Sequence, residues 1–255
     1  MRLTWVQPED LLPHALVQAD AEGVDVAAVA ARWQAAGGPA GPTAGGAADD
    51  PGRAALRGLA RELLAEIDDR SAAPGKDLDR LTSLERGWAP SPVAAAPADP
   101  GRLHGAWLGR AGGCLLGKPV EKIPREGIRA IAEATGNWPV RGYFTAAGLP
   151  ADIARRWPWN RRSRPTSLAE NINGMPEDDD LNFTIIALTL LERHGAGLTT
   201  GDVAQYWLDC LPAGRVFTAE RIAYRNLLDG VPPDRAALAG NPFRHWIGAL
   251  IRADA

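Results

Sequence analysis

The segment Met175-Pro176-Glu177-Asp178-Asp179-Asp180-Leu181-Asn182 places four consecutive carboxylates directly ahead of an apolar run, Phe183 to Leu191. Pro176 before the acids and Gly195 after the run punctuate a helix start and stop. The run is apolar on nearly every side, which predicts a buried central helix. Acids crowded at a buried helix N-terminus repel one another and lose hydration, so they need a cation to offset them. One aspartate is accounted for as an N-cap that accepts orphan backbone N–H groups, and the helix dipole accommodates a second. The surplus points to a hard divalent cation held by oxygen ligands, Mg2+ or a similar ion. The competing account is a cap followed by solvated acids.

A chain of 255 residues with 45% hydrophobic and 23% charged residues has the composition of a soluble globular protein of one large or two small domains. The net charge of −3 gives no global reason to expect nucleic acid or an anionic membrane as a partner. Cys114 and Cys210 are too few for a disulfide framework or a cysteine-based zinc site, and a reducing cytoplasm is the simplest compartment. The first ten residues lack the continuous apolar core of a signal peptide, and no apolar run approaches a membrane span.

Along the chain, Pro8-Glu9-Asp10 starts a helical segment, and Val24 to Trp33 repeat an apolar pattern before Gly37-Gly38-Pro39. Residues 37–52 read as a linker rich in Gly, Pro, Ala and Asp. Ala54 to Arg70 forms an amphipathic helix lined by Leu56, Leu59, Leu63, Leu64 and Ile67. A second linker, Ala89 to Pro100, closes a helical accessory region of about one hundred residues in which no chemistry is visible. Further helices are predicted over Ile123 to Ala134 and over Leu198 to Leu211, the latter capped by Thr199 or Thr200. A third begins at a Thr218 cap and turns Ile222, Ala223, Leu227 and Leu228 inward. Asn241-Pro242 opens a last segment, Phe243 to Ala255. No segment alternates at period two, so the fold class is all-α, with residues 1–100 as an extension and 101–255 as the main domain.

Three stretches invite functional readings. Gly105, Gly109, Gly113 and Gly117 recur four apart and share one helical face. Each costs about 1 kcal/mol of helix stability, so the face needs a backbone or a ligand pressed against it, tight helix packing being the plainer account. Gly112 to Lys118 has the spacing of a phosphate-binding loop, but Pro119 stands where that loop needs a hydroxyl, so the reading is set aside. From Asn137 to Pro176 the chain reads as one irregular stretch carrying Trp138, Tyr143, Phe144, Trp157 and Trp159 among five arginines between 155 and 164. Aromatic faces with guanidinium groups suit a flat anionic ligand such as a nucleotide, or a single strand of nucleic acid, against the alternative of a solvated basic loop.

Gly113-Cys114-Leu115-Leu116-Gly117 followed by Glu121, then Asp178-Asp179-Asp180-Leu181-Asn182-Phe183, then Gly248-Ala249-Leu250-Ile251-Arg252, together resemble the ADP-ribosylglycohydrolase family over residues 101–255. The likeness is to a branch with an N-terminal extension. It implies an all-α fold with two divalent metals, Mg2+ or Mn2+, at its centre. It also implies hydrolysis of the glycosidic bond between ADP-ribose and a protein side chain or small molecule. Gly113 and Gly117 match the family's Gly-Asp-x-x-Gly motif, with Cys114 for its aspartate, and Glu121 matches the glutamate that follows. Asp179 and Asp180 match the paired aspartates of the metal motif Thr-Asp-Asp-Thr, with Asp178 and Leu181 in place of its threonines. Gly248 to Arg252 is similar to the family's ADP-ribose loop, with Ile251 for its methionine.

The resemblance thus implies Glu121 and Asp179 as catalytic residues and Asp178, Asp179 and Asp180 as metal ligands. Gly113, Gly117, Asn182, Gly248 and Arg252 would be substrate contacts. The family completes its metal site with a later Asp-x-Asp motif, and this sequence reaches Asp254-Ala255 without one, so an incomplete domain is expected here. Two rivals follow. One is a non-catalytic binder of ADP-ribose or NAD, or a truncated pseudoenzyme. The other is a Mg2+-dependent prenyl-diphosphate enzyme, whose motif wants an acid four positions after its first. From Glu177, Asp178 and Asp179 that position holds Leu181, Asn182 and Phe183.

Overall fold

The computed structural model describes residues 5–42, 51–71 and 99–252. The linker expected over 89–100 falls almost wholly outside them, as does much of the one expected over 37–52 and the final Asp254-Ala255. No strand occurs among the described residues, and the fold is all-α. The helices are α1 (Pro8–Ala21), α2 (Ala27–Ala35), α3 (Arg57–Ser71), α4 (Pro100–Gly117), α5 (Arg125–Ala134), α6 (Ala151–Arg156), α7 (Arg164–Ser167), α8 (Asp179–His194), α9 (Thr200–Cys210), α10 (Ala219–Leu228) and α11 (Pro233–Ala236). The chain divides into two compact units, one of Met1–Val93 with Ala187–Ala255, the other of Ala94–Ile186.

The first unit has a core assembled from distant parts of the sequence. Leu11, Leu12, Val29, Trp33, Ala60 and Leu63 of α1, α2 and α3 are fully buried together with Ile222 of α10 and Phe243. Phe243 meets Trp5, His14 and Trp246 edge-on or nearly so, with ring centroids 4.7–5.5 Å away, the geometry that aromatic quadrupoles favour. Asn241 fixes the approach to this cluster by donating to the carbonyls of Ala219 and Ala237, and Gly240 N–H donates to the Asp68 carboxylate at 2.6 Å. Helix α9 opens with a capping box in which Thr199 and Asp202 satisfy each other's free groups. Only Ala204 of α9 is fully buried; Val203, Tyr206, Trp207 and Leu208 are half-buried. Thr218 precedes α10 without a capping hydrogen bond, and Leu228, expected inside, is two-thirds exposed at 66%. Burial on α10 falls instead on its first two turns, from Glu220 to Tyr224, and on Asn226.

The second unit is smaller. Its core joins Val120, Ile131, Ala132, Phe144, Trp159 and Leu168. The stretch from 137 to 176, expected to be irregular throughout, contains α6 and α7. Phe144 and Trp159 therefore correct the ligand-stacking expectation: both are core residues, because a unit this small has few other large apolar side chains to bury. Trp138 and Tyr143 remain exposed, and Arg129 and Arg156 lie over the rings of Trp138 and Trp157.

Helix α8 begins at Asp179, and Gly195 ends it at φ +56, a left-handed conformation that suits glycine. The expectation of burial on every side is corrected. Phe183, Ile186 and Leu190 are buried, but Ile185, Leu188 and Leu191, on the opposite side, are 43–52% exposed. An apolar run has no direction of its own; the packing covers one face of it.

Candidate metal centre

Asp178 starts α8. Its Oδ1 accepts the Asp180 N–H at 3.1 Å and its carbonyl accepts the Asn182 N–H at 3.0 Å, so it is the N-cap that the sequence called for. Asp178, Asp179 and Asp180 are half-buried, whereas Glu177 is exposed and accepts from Asn182 Nδ2 at 2.9 Å.

Facing these acids is one side of α4. Arg110, Cys114 and Lys118 lie four residues apart and so share a face. Arg110 Nη1 donates to the Asp180 carbonyl at 2.8 Å, and the Lys118 ammonium forms an ion pair with Asp178 Oδ2. The Cys114 sulfur and one carboxylate oxygen each from Asp178 and Asp180 lie within 4.8 Å of one another. The glycines at 105, 109, 113 and 117 occupy the neighbouring stripe, and a Cβ on any of them would meet nothing within 4 Å. Among the described residues, then, no backbone presses on that face.

The electrostatics follow from this layout. Burial and the nearby Asp178 charge push the Cys114 thiol well above its ordinary range, so it stays protonated as it stands. Burial opposes ionisation of Asp178, but hydrogen bonds from Lys118 and the Asp180 amide outweigh it and hold Asp178 below the usual carboxylate range. Asp179 has no such donor set. Burial and the adjacent Asp178 charge raise it to about 6.

Glu121 stands at a turn closed by the Ile123 N–H to Val120 carbonyl bond at 3.0 Å. Its φ of −52° and ψ of 132°, followed by φ +70° at Lys122, make this a type II turn. A lysine in the left-handed position costs about 1 kcal/mol where glycine would cost nothing, so the turn is held by its surroundings. The exposed Glu121 carboxylate accepts from Asn160 Nδ2 at 2.7 Å and borders an open cleft of about 360 Å³, lined also by Trp157, Pro158 and Arg161.

Residues 95–255 match the model of a protein family, ADP-ribosylglycohydrolase. The chain belongs to the ADP-ribosylglycohydrolase family. Neither a curated protein nor a solved structure matches it. Of the residues that the resemblance singled out, Asp178 and Asp180 come together with Cys114, and Asp179 is not one of that group. Gly113 and Gly117 are exposed on α4. Gly248 and Arg252 belong to the other compact unit, where Gly248 lies against the Glu220 carboxylate and Arg252 forms an ion pair with it, beside the Trp207 ring.

Arg110 and Asn160 were not singled out from the sequence, Lys118 entered only as the end of the rejected phosphate-loop spacing, and Cys114 entered the family motif only as a replaced aspartate. The available signal was the four-residue spacing of 110, 114 and 118, one position beyond Gly109, Gly113 and Gly117.

The donor set suits a divalent cation. Two carboxylate oxygens are the ligands Mg2+ and Mn2+ prefer, and the sulfur adds tolerance for softer ions. A cation already stands among these acids in the form of the Lys118 ammonium.

Proposed function

We propose that the chain is a metal-dependent hydrolase that cleaves the glycosidic bond between ADP-ribose and a side chain or small molecule. The observation that carries this reading is the convergence of Asp178, Asp180 and Cys114 at the start of α8, inside the family-matched stretch. Asp178 and Asp180 are the ligands for Mg2+ or Mn2+, with Cys114 in reach, and Asp179 stands beside them as a further acid. Bound there, such an ion would supply positive charge to offset the charge that develops as the bond breaks.

The remaining work belongs to the chain's own groups. Glu121 is the base: it is exposed beside the open cleft, and Asn160 Nδ2 donates to its Oε2 and so fixes its orientation. Loss of the leaving group passes through an oxocarbenium-like state, which a nearby carboxylate stabilises. Gly113, Gly117 and Asn182, one turn into α8, are the substrate contacts the reading assigns in this unit; Gly248 and Arg252 carry that assignment from the resemblance alone.

The test is release of ADP-ribose from arginine- and serine-modified peptides by the full chain with Mg2+ or Mn2+. Glu121→Gln is expected to lower turnover about 10²- to 10⁴-fold, the usual contribution of a general base, while leaving Mn2+ binding intact. Absence of release with every acceptor, from folded and metal-loaded protein, rejects hydrolysis. Calorimetric binding of ADP-ribose that persists in EDTA, without turnover, would put a binding protein in its place.

A further inference from the structure

We infer that Lys118 is a built-in rival of the metal, neutralising Asp178 in the cation-free chain and leaving it when a divalent ion takes the site. The inference rests on the metal reading above and adds to it what the acids do when no metal is present.

Both oxygens of Asp178 are engaged. Oδ1 holds the Asp180 N–H as a helix cap, and Oδ2 holds the Lys118 ammonium. The cap bond is part of the helix start, so the oxygen that can change partners is Oδ2. An ammonium and a divalent ion cannot share it, since two like charges would stand at ligand distance. The ion pair is enclosed, with Lys118 and Asp178 side chains only 14% and 15% exposed, so solvent screens it weakly.

Lys118 is also placed to move. It follows the last residue of α4 and begins a short 3-10 turn, Lys118–Val120, ahead of Pro119. Its second contact, to the Glu177 carbonyl at 3.4 Å, is long. Release needs only rotation of a flexible four-carbon stem, with no change in the backbone. The device explains why crowded acids persist without a metal, and it sets a threshold cation concentration below which the site stays closed.

The experiment follows free Mn2+ by electron paramagnetic resonance during titration of the full chain, its Lys118→Met and Lys118→Arg variants, and Asp178→Asn. Lys118→Met is expected to bind Mn2+ at least tenfold more tightly than the parent chain, Lys118→Arg to stay near it, and Asp178→Asn to lose binding. Amine acetylation read by mass spectrometry supplies a measurement on the unaltered chain. Saturating Mn2+ is expected to raise modification of Lys118 several-fold and to leave the exposed Lys122 unchanged. If the parent chain binds Mn2+ but Lys118→Met binds no tighter, or Lys118 stays protected with Mn2+ bound, Lys118 is no rival and the metal reading survives. If neither the parent nor Lys118→Met binds Mn2+, both fall.

Discussion

In the unit that contains the N-terminal helices, Glu9 has no solvent-accessible side chain, and Arg57 grips it through two hydrogen bonds of 2.8 and 3.1 Å. Glu220, 3% exposed, has the Arg252 guanidinium as its counterpart. In the other unit three consecutive aspartates stand together, the Lys118 ammonium pairs with the first of them, Asp178, and the Arg110 guanidinium reaches the Asp180 carbonyl. The first arrangement matches Glu9 and Glu220 each with a planar, bidentate-capable cation, the form that holds a structure together. The second leaves more negative charge than side-chain cations at hand and supplies a compact ammonium on a mobile stem. A carboxylate matched one to one has no use for an ion from solution; a surplus of them does.

The contrast can be broken by substitution. Arg57→Met would remove the two hydrogen bonds that Arg57 gives the buried Glu9 carboxylate and is expected to destabilise the chain by about 2–3 kcal/mol in chemical denaturation, less than for a wholly buried pair because Arg57 is itself 42% exposed. Divalent metal should not restore the loss. If it does, Glu9 is no purely structural acid.

Asp179→Asn is expected to act in the opposite sense. In EDTA, removing a charge that burial and Asp178 disfavour should stabilise the chain by about 1–2 kcal/mol. A destabilised variant would mean that the acid cluster is already balanced without a metal.

The smallest effect concerns His14. Burial lowers its pKa, against a weaker opposing pull from Asp10, and its Nε2 has no hydrogen-bond partner. The unfolded chain then binds the proton more readily than the folded one, so stability is full above an unfolded-state pKa of about 6.5 and declines as the pH falls below it. The decline should be under about 1 kcal/mol per pH unit, within the limit of about 1.4 for a single proton, and His14→Phe should flatten it.

Much of the helical order was legible beforehand because punctuation and periodicity agree: Pro and Thr at starts, Gly at stops, and apolar residues on one side of α3. The acid cap was legible too, since Asp178-Asp179-Asp180 before an apolar run leaves few other roles. Lys118 was not. Its neighbours mimic a phosphate loop, and only tertiary packing decides that the 110–114–118 stripe of α4, and not the glycine stripe beside it, meets the acids. The exposed side of α8 was hidden for a related reason, because Ile185 and Leu188 look no different in sequence from Phe183 and Ile186. Phe144 and Trp159 were misread because an aromatic next to arginines looks the same whether it stacks on a ligand or fills a core.

Ile222 and Phe243 lie within the stretch that carries the family signature, yet residues of α1 to α3, which precede that stretch, complete their surroundings. A piece cut at the start of the recognisable region would keep every candidate ligand and lose the wall that keeps those two side chains dry. The stretch that can be recognised is therefore not the whole of the stretch that buries those two side chains.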